Sequence, residues 1–353
     1  MNHHARLIAC ILLMALVAGL TAKVLCHSIS QNGRSGTNAI AKYNDPANTS
    51  IATELHDGMA GTGGRYVNSE KGPMLPTIPP WPTMQNTPTV VPTITSSLEE
   101  PKRMSVNDVA WESFIVLPTE TLIHVRQIFA AGQALGRNPS AYSKVGDSTI
   151  ENPHFMARFD EGPYSLGAYS YLEPAVQTFR GSHNRDSVAV LIGLHSWSAN
   201  DPMWADPVLC LPNETPVQCE IRIHNPSFLF IRLGTNDVGV EESFETNIRQ
   251  IVETALVAGI IPVIGTKGDR NEGSNANNEI LRRIAGDYQI PLWDYDRVAD
   301  TLPGRGVDID GVHMLTFYAH DYTDPTAFTR GHAMHNLTAL MMLDAVWREV
   351  SRP

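Results

Sequence analysis

The sequence predicts an α/β fold in which a parallel sheet is covered by helices on both faces. Three observations carry this. Short, continuous apolar runs recur at residues 188–192 (VAVLI), 228–233 (FLFIRL) and 260–264 (IIPVI). Strands buried on both faces read this way, without the polar alternation of a half-exposed sheet. Stretches with helical apolar spacing lie between or beside them, at 119–135, 243–257 and 278–288, and strand–helix alternation is the pattern of a parallel sheet. Glycines stand at the ends of the strand candidates: Gly146, Gly193, Gly234 and Gly265. In such sheets ligands bind in the crevice outside the carboxyl ends of the strands, so these glycines mark where a site belongs.

Taken in order, residues 1–27 read as a signal peptide or an N-terminal membrane anchor. His3, His4 and Arg6 precede the apolar run 7–20, and Thr21-Ala22-Lys23 follows it. That run is shorter than the ~20 residues of a membrane span and fits the apolar region of an export signal. Ala22 offers a small residue for cleavage, but no A-x-A site is present, so the uncleaved anchor stands beside the cleaved signal. Neither Cys10 nor Cys26 lies in a convincing lipid-attachment site. Residues 28–104 keep no hydrophobic period and read as a disordered linker rich in Pro, Thr, Ser and Gly. The stretch 72–101 should be extended and coreless. It reads as a spacer, with a binding segment around Trp81 as the alternative. An exported chain, extracellular or held at the cell surface, is the expectation.

The folded domain is expected over 105–353. Pro118 and Thr119-Glu120-Thr121 open a helix whose apolar face is Leu122, Val125, Ile128, Phe129 and Leu135. A strand then leads to Ser148. Residues 188–192, 228–233, 260–264 and 290–293 are the following strands. Helices are expected at 243–257, 278–288 and 335–350. The net charge of −11, with no Lys/Arg run beyond pairs such as Arg282-Arg283, argues against a nucleic-acid partner. Cys210 and Cys219 flank a Pro-containing loop (CLPNETPVQC). In an exported chain this spacing reads as a local disulfide. A metal pair is the weaker reading, because no C-x-x-C or nearby His pair completes a zinc set.

Three short elements carry candidate chemistry. Gly146-Asp147-Ser148 places a serine at the carboxyl edge of a strand, where it can attack an ester carbonyl. Asn236, in Gly234-Thr235-Asn236-Asp237, follows the strongest apolar run and can aim an amide N–H at a developing oxyanion. Asp310 stands three residues before His313. There a carboxylate can accept from one imidazole nitrogen and leave the other to take the serine proton. Each element alone also fits a polar turn, a helix cap or a surface pair. Asp308 is the competing acid.

Together and in this order, the three elements resemble the SGNH (GDSL-type) hydrolase family, over about residues 140–350. The resemblance implies a flavodoxin-like three-layer α/β/α sandwich with a mainly parallel five-stranded sheet. It implies Ser148 as nucleophile, His313 as general base, Asp310 as its orienting acid and Asn236 as an oxyanion donor. The oxyanion hole would be completed by the N–H of Ser148 and of a glycine after the second strand, Gly193, with Gly167 as the runner-up. It implies no cofactor and no metal. The chain departs from the family pattern twice. The block at Gly193 lacks the usual Asn-x-Gly, and Thr149 stands where a leucine commonly follows the serine.

Trp197 and Lys267 are the substrate-binding candidates, on loops expected to rim the cleft together with His195, Asn200, Trp204, Asp269 and Arg270. Packing of Trp197 and Trp204 under the disulfide is the alternative. His320, His332 and His335 with Asp321 and Asp324 make an incomplete metal set. The expected function is an exported serine esterase acting on a small-molecule, lipid or carbohydrate ester, with acetylated polysaccharide among the candidates. A non-catalytic glycan-binding module on the same fold and an acyltransferase are the rivals.

Overall fold

The computed structural model describes residues 102–352. The export segment, Cys10, Cys26 and the linker up to residue 101 lie outside the described residues. Five strands form one sheet: β1 (Ile115–Val116), β2 (Asn138–Gly146), β3 (Pro226–Arg232), β4 (Ile261–Gly265) and β5 (Leu292–Trp293). Their order is β1-β5-β4-β3-β2. β2, β3, β4 and β5 pair in parallel, and β1 runs antiparallel along β5.

The pleat of β3 divides the core in two. Phe228 and Phe230 face one apolar layer, with Tyr142, Val263 and Trp293. Leu229 and Ile231 face the other, with Val145, Ile264 and Leu292. Every residue of β3 is buried, as expected of a strand covered on both sides. Helices α1 (Thr119–Ala134) and α5 (Gly331–Val350) contribute to the first layer. Helices α2 (Pro216–His224), α3 (Glu241–Val257) and α4 (Ala276–Tyr288) contribute to the second. The result is a three-layer α/β/α sandwich with a mainly parallel five-stranded sheet. Among the described residues, no helix is long and apolar enough to cross a membrane.

Helix α5 begins four residues before the expected start, at Gly331. A Cβ there would come within 1.9 Å of the Gly306 carbonyl oxygen, so only glycine lets the helix start against that loop. The expected strand at 188–192 is the main correction. Val190 forms a single bridge to Gly146, and the rest of the run is turn or irregular. Nearby side chains take the backbone groups that a ladder would use: Ser187 Oγ donates to the Lys144 carbonyl (2.7 Å) and accepts from Ala189 N–H (3.1 Å), while Glu220 accepts from Val188 N–H (3.1 Å). The fifth strand is β1 instead, two residues long, with no period for a sequence to display.

Candidate active site

Strand β2 delivers Ser148. Gly146 packs against β3 too closely for a side chain: a Cβ would lie 2.6 Å from the Arg232 carbonyl oxygen and 2.4 Å from Ile150 Cδ1. Asp147 then caps the short turn Ser148–Ile150, its Oδ1 accepting from the N–H (2.9 Å) and Oγ1 (2.6 Å) of Thr149. This capping satisfies the Thr149 N–H at the start of the turn that carries Ser148.

The hairpin that carries His313 is closed by an antiparallel bridge between Val307 and Met314. Asp310 Oδ1 accepts from the N–H groups of Val312 (2.9 Å) and His313 (3.0 Å). Its Oδ2 accepts from Nδ1 of His313 at 2.7 Å. Nε2 of His313 accepts from Ser148 Oγ at 2.8 Å. Hydrogen bonding from His313, followed by the Val312 N–H, holds the Asp310 carboxyl below its ordinary range. Asp308, the competitor, spends its carboxylate on the N–H of Ile309 (2.7 Å). The Asp310 and His313 side chains are about half exposed, at 48% and 49%, so the line of hydrogen bonds opens to solvent.

The loop after Val190 returns beside the serine turn, with Leu191 N–H bonded to the Gly146 carbonyl (3.1 Å). Gly193 is exposed at φ +73° with open space where a Cβ would be, and its N–H has no partner within the described residues. Gly167, the runner-up, packs on Tyr322, whose carbonyl oxygen would be 2.9 Å from a Cβ. Asn236 donates through Nδ2 to the Leu194 carbonyl (3.1 Å), leaving its second amide hydrogen free. Asp237 ties the same loop down by accepting from Ser196 N–H (3.1 Å) and Oγ (2.7 Å).

A cavity of about 100 Å³ adjoins Ser148 and His313; His154, Met314, Thr316 and His332 line it, and neither Gly193 nor Asn236 does. Trp197 does not line it either. It is half exposed, stacked on His195 at 6.2 Å and edge-on to Trp204 at 5.7 Å. Lys267 requires a correction. Instead of rimming the cleft it is fully buried, paired with Asp269 (2.8 Å) and with Glu272. Two carboxylates in the interior supply the pairing that a buried ammonium requires. Cys210 and Cys219 are joined, with Cα atoms 5.2 Å apart. They and Glu214 form the one close group of three metal-ligating residue types among the described residues, and the disulfide occupies both sulfurs.

The sequence places His332 only in an incomplete metal set and gives Arg232 no role. His332 is buried, and its Nδ1 accepts from Phe317 N–H (3.2 Å). Burial, then the neighbouring His320, lowers its pKa to about 3, so the ring is neutral. Arg232 is fully buried one ladder position from Asp147, and none of its three guanidinium nitrogens has a hydrogen-bond partner. Burial lowers its pKa, against the pull of the Asp147 and Asp269 charges. Asp147 Oδ2 is likewise unpartnered. The signal for Arg232 was visible in FLFIRL, a charge inside an otherwise apolar strand.

No family model and no curated protein matches the chain. Solved structures do match, and those compared include GDSL-family lipolytic proteins and esterases. An acetylxylan esterase from Geobacillus stearothermophilus is 16% identical over 59% of this chain and 95% of its own, at a TM-score of 0.38. A GDSL-like lipase from Bacteroides thetaiotaomicron is 15% identical over 64% and 98%, at 0.35. A family 3 carbohydrate esterase from Talaromyces cellulolyticus is 14% identical over 57% and 97%, also at 0.35. Likenesses this distant settle nothing about chemistry.

Proposed function

We propose that this chain is an exported serine esterase of the SGNH type, using Ser148, His313 and Asp310. The observation that supports it is the hydrogen-bond line from Ser148 Oγ through both nitrogens of His313 to Asp310 Oδ2, at 2.8 Å and 2.7 Å. With Nδ1 facing a carboxylate, the proton resides on Nδ1 and Nε2 is left as the acceptor. Ser148 Oγ attacks the ester carbonyl as its proton passes to Nε2. The tetrahedral oxyanion is held by the N–H groups of Ser148 and Gly193 and the free amide hydrogen of Asn236. Collapse expels the alcohol, which takes the proton from Nε2, and leaves an acyl-serine. Water then gives a proton to His313 and attacks, releasing the acid and restoring Ser148.

The substrate in this reading is an ester of a small molecule, lipid or carbohydrate, met outside the cell by a domain held on the 28–104 tether. The test is labelling of the full chain with a fluorophosphonate probe, followed by peptide mapping. A single adduct on Ser148, lost in His313→Ala, is expected. A folded protein that takes no adduct would refute the esterase and turn attention to glycan binding. Labelling with transfer of the acyl group to added sugars, at the expense of hydrolysis, would make it an acyltransferase.

A further inference from the structure

The loop that carries Asn236 does not hold its own shape. Residues 234–237 lie outside any helix or strand, and among the described residues no backbone N–H takes the carbonyls of Gly234, Thr235 or Asp237. Two asparagines from the segment after β4 take them instead. Asn277, in the first turn of α4, donates through Nδ2 to the Gly234 carbonyl at 2.8 Å and to the Asp237 carbonyl at 3.0 Å. Asn271 donates through Nδ2 to the Thr235 carbonyl at 2.8 Å. The backbone is thereby gripped on both sides of Asn236, whose own amide keeps to the Leu194 carbonyl.

Asn277 is fully buried and spends both of its amide hydrogens on this loop. The opposite orientation of the amide would turn Oδ1 onto two carbonyl oxygens, so the hydrogen bonds themselves fix which way it points. Its Oδ1 is left buried without a partner, and an unpaired buried acceptor lowers stability. Packing alone would favour an apolar side chain here; what Asn277 supplies is the grip on two carbonyls. An oxyanion donor is effective only when it is already aimed at the place where charge develops. A displacement of about 1 Å can cost about a hundredfold in rate.

We propose that Asn277, aided by Asn271, is the positioning residue of the oxyanion hole, acting on catalysis through Asn236 by holding the backbone on either side of it. This rests on the esterase reading above. The test is a double-mutant cycle on the full chain. It is read as the rate constant for labelling Ser148 with the fluorophosphonate probe, and as kcat and KM on p-nitrophenyl acetate. Asn277→Ala should slow labelling and lower kcat by about tenfold to a hundredfold, with KM little changed. Added to Asn236→Ala, the same substitution should cost less than about threefold, because residues that act as a unit are not additive. A merely structural role would give the same fractional loss with and without Asn236→Ala. That result, or an unchanged rate in Asn277→Ala, would overturn the proposal and leave the esterase standing. If Asn277→Ala does not fold, Asn271→Ala, at an exposed position, decides by the same comparison, with an expected loss of about fivefold or more that vanishes beside Asn236→Ala. No adduct and no turnover in the wild type would overturn both readings.

Discussion

Asp310 holds His313 at two points: Oδ2 accepts from Nδ1 at 2.7 Å, and Oδ1 accepts from the backbone N–H of the same residue at 3.0 Å. The acid therefore positions both the ring and the chain that carries it. Asp310→Asn should lower kcat by about 10⁴, because an amide presented to Nδ1 permits the wrong tautomer, with KM little changed. Steady-state kinetics on an ester checks this. A near wild-type rate would pass the role to Asp308 or to a serine–histidine dyad.

Asn236 has one amide hydrogen engaged by the Leu194 carbonyl and one free. If the free one meets the oxyanion, Asn236→Ala should cost about 10²–10³ in kcat while KM stays within a few-fold. Single-turnover acylation separates this from slowed deacylation. An unchanged acylation rate would remove Asn236 from the oxyanion hole.

Arg232 and Asp147 are buried neighbours beside the Ser148 turn, and each has an unpartnered polar atom. Burial already raises the Asp147 carboxyl pKa, and the Arg232 charge opposes that rise. Arg232→Met should destabilise by about 3–5 kcal/mol by stranding the carboxylate. The sign with pH follows from the raised folded-state pKa. The gap between the variant and the wild type should be smallest in acid, where Asp147 is protonated, and widen as pH rises through that pKa. Urea unfolding at pH 5 and pH 8 reads it. Adding Asp147→Asn should recover much of the loss, and failure to recover would mean that the two charges are not coupled.

Burial holds His183 at about 4, His320 at about 4 and His332 at about 3. These rings bind protons more readily once unfolded, where the ordinary value is about 6.5. Stability should therefore be full above that pH and fall on acidification toward the folded-state values. Each ring contributes up to about 1.4 kcal/mol per pH unit. Asp344, raised by burial to about 6, works the other way and offsets part of the loss. Urea midpoints from pH 7.5 to pH 4.5 should fall, and a flat or rising series would contradict the buried neutral histidines.

The Cys210–Cys219 bond closes a loop with a sequence separation of 9 and anchors it to helix α2. Loop-closure entropy for so short a loop is worth about 2–3 kcal/mol. Cys210→Ser should lower unfolding stability by that amount. A loss below about 0.5 kcal/mol would show that the reduced loop is already ordered by its own hydrogen bonds.

Much of the architecture was readable because it is local. An apolar run such as 228–233 declares a strand buried on both faces, and Asp310 three residues before His313 can meet it within one turn whatever surrounds them. What misled was also local. VAVLI has strand composition, yet Ser187 and Glu220 claim its backbone groups, and Glu220 lies on a helix that no inspection of 188–192 would bring there. Lys267 read as a cleft residue because its loop follows a strand, but Asp269 and Glu272 turn it inward.

The sequence by itself determined a parallel sheet covered on both faces, the disulfide spacing and the candidate serine and histidine, since these depend on residue type and short spacing. Only the tertiary structure decided the rest. It brought Ser148 and His313, which are 165 residues apart, to one hydrogen bond, chose Asp310 over Asp308, and formed the Met314–His332 cavity. Those outcomes depend on which side chains the closed sheet brings into contact, and contact between distant segments is a property of packing that no local pattern encodes.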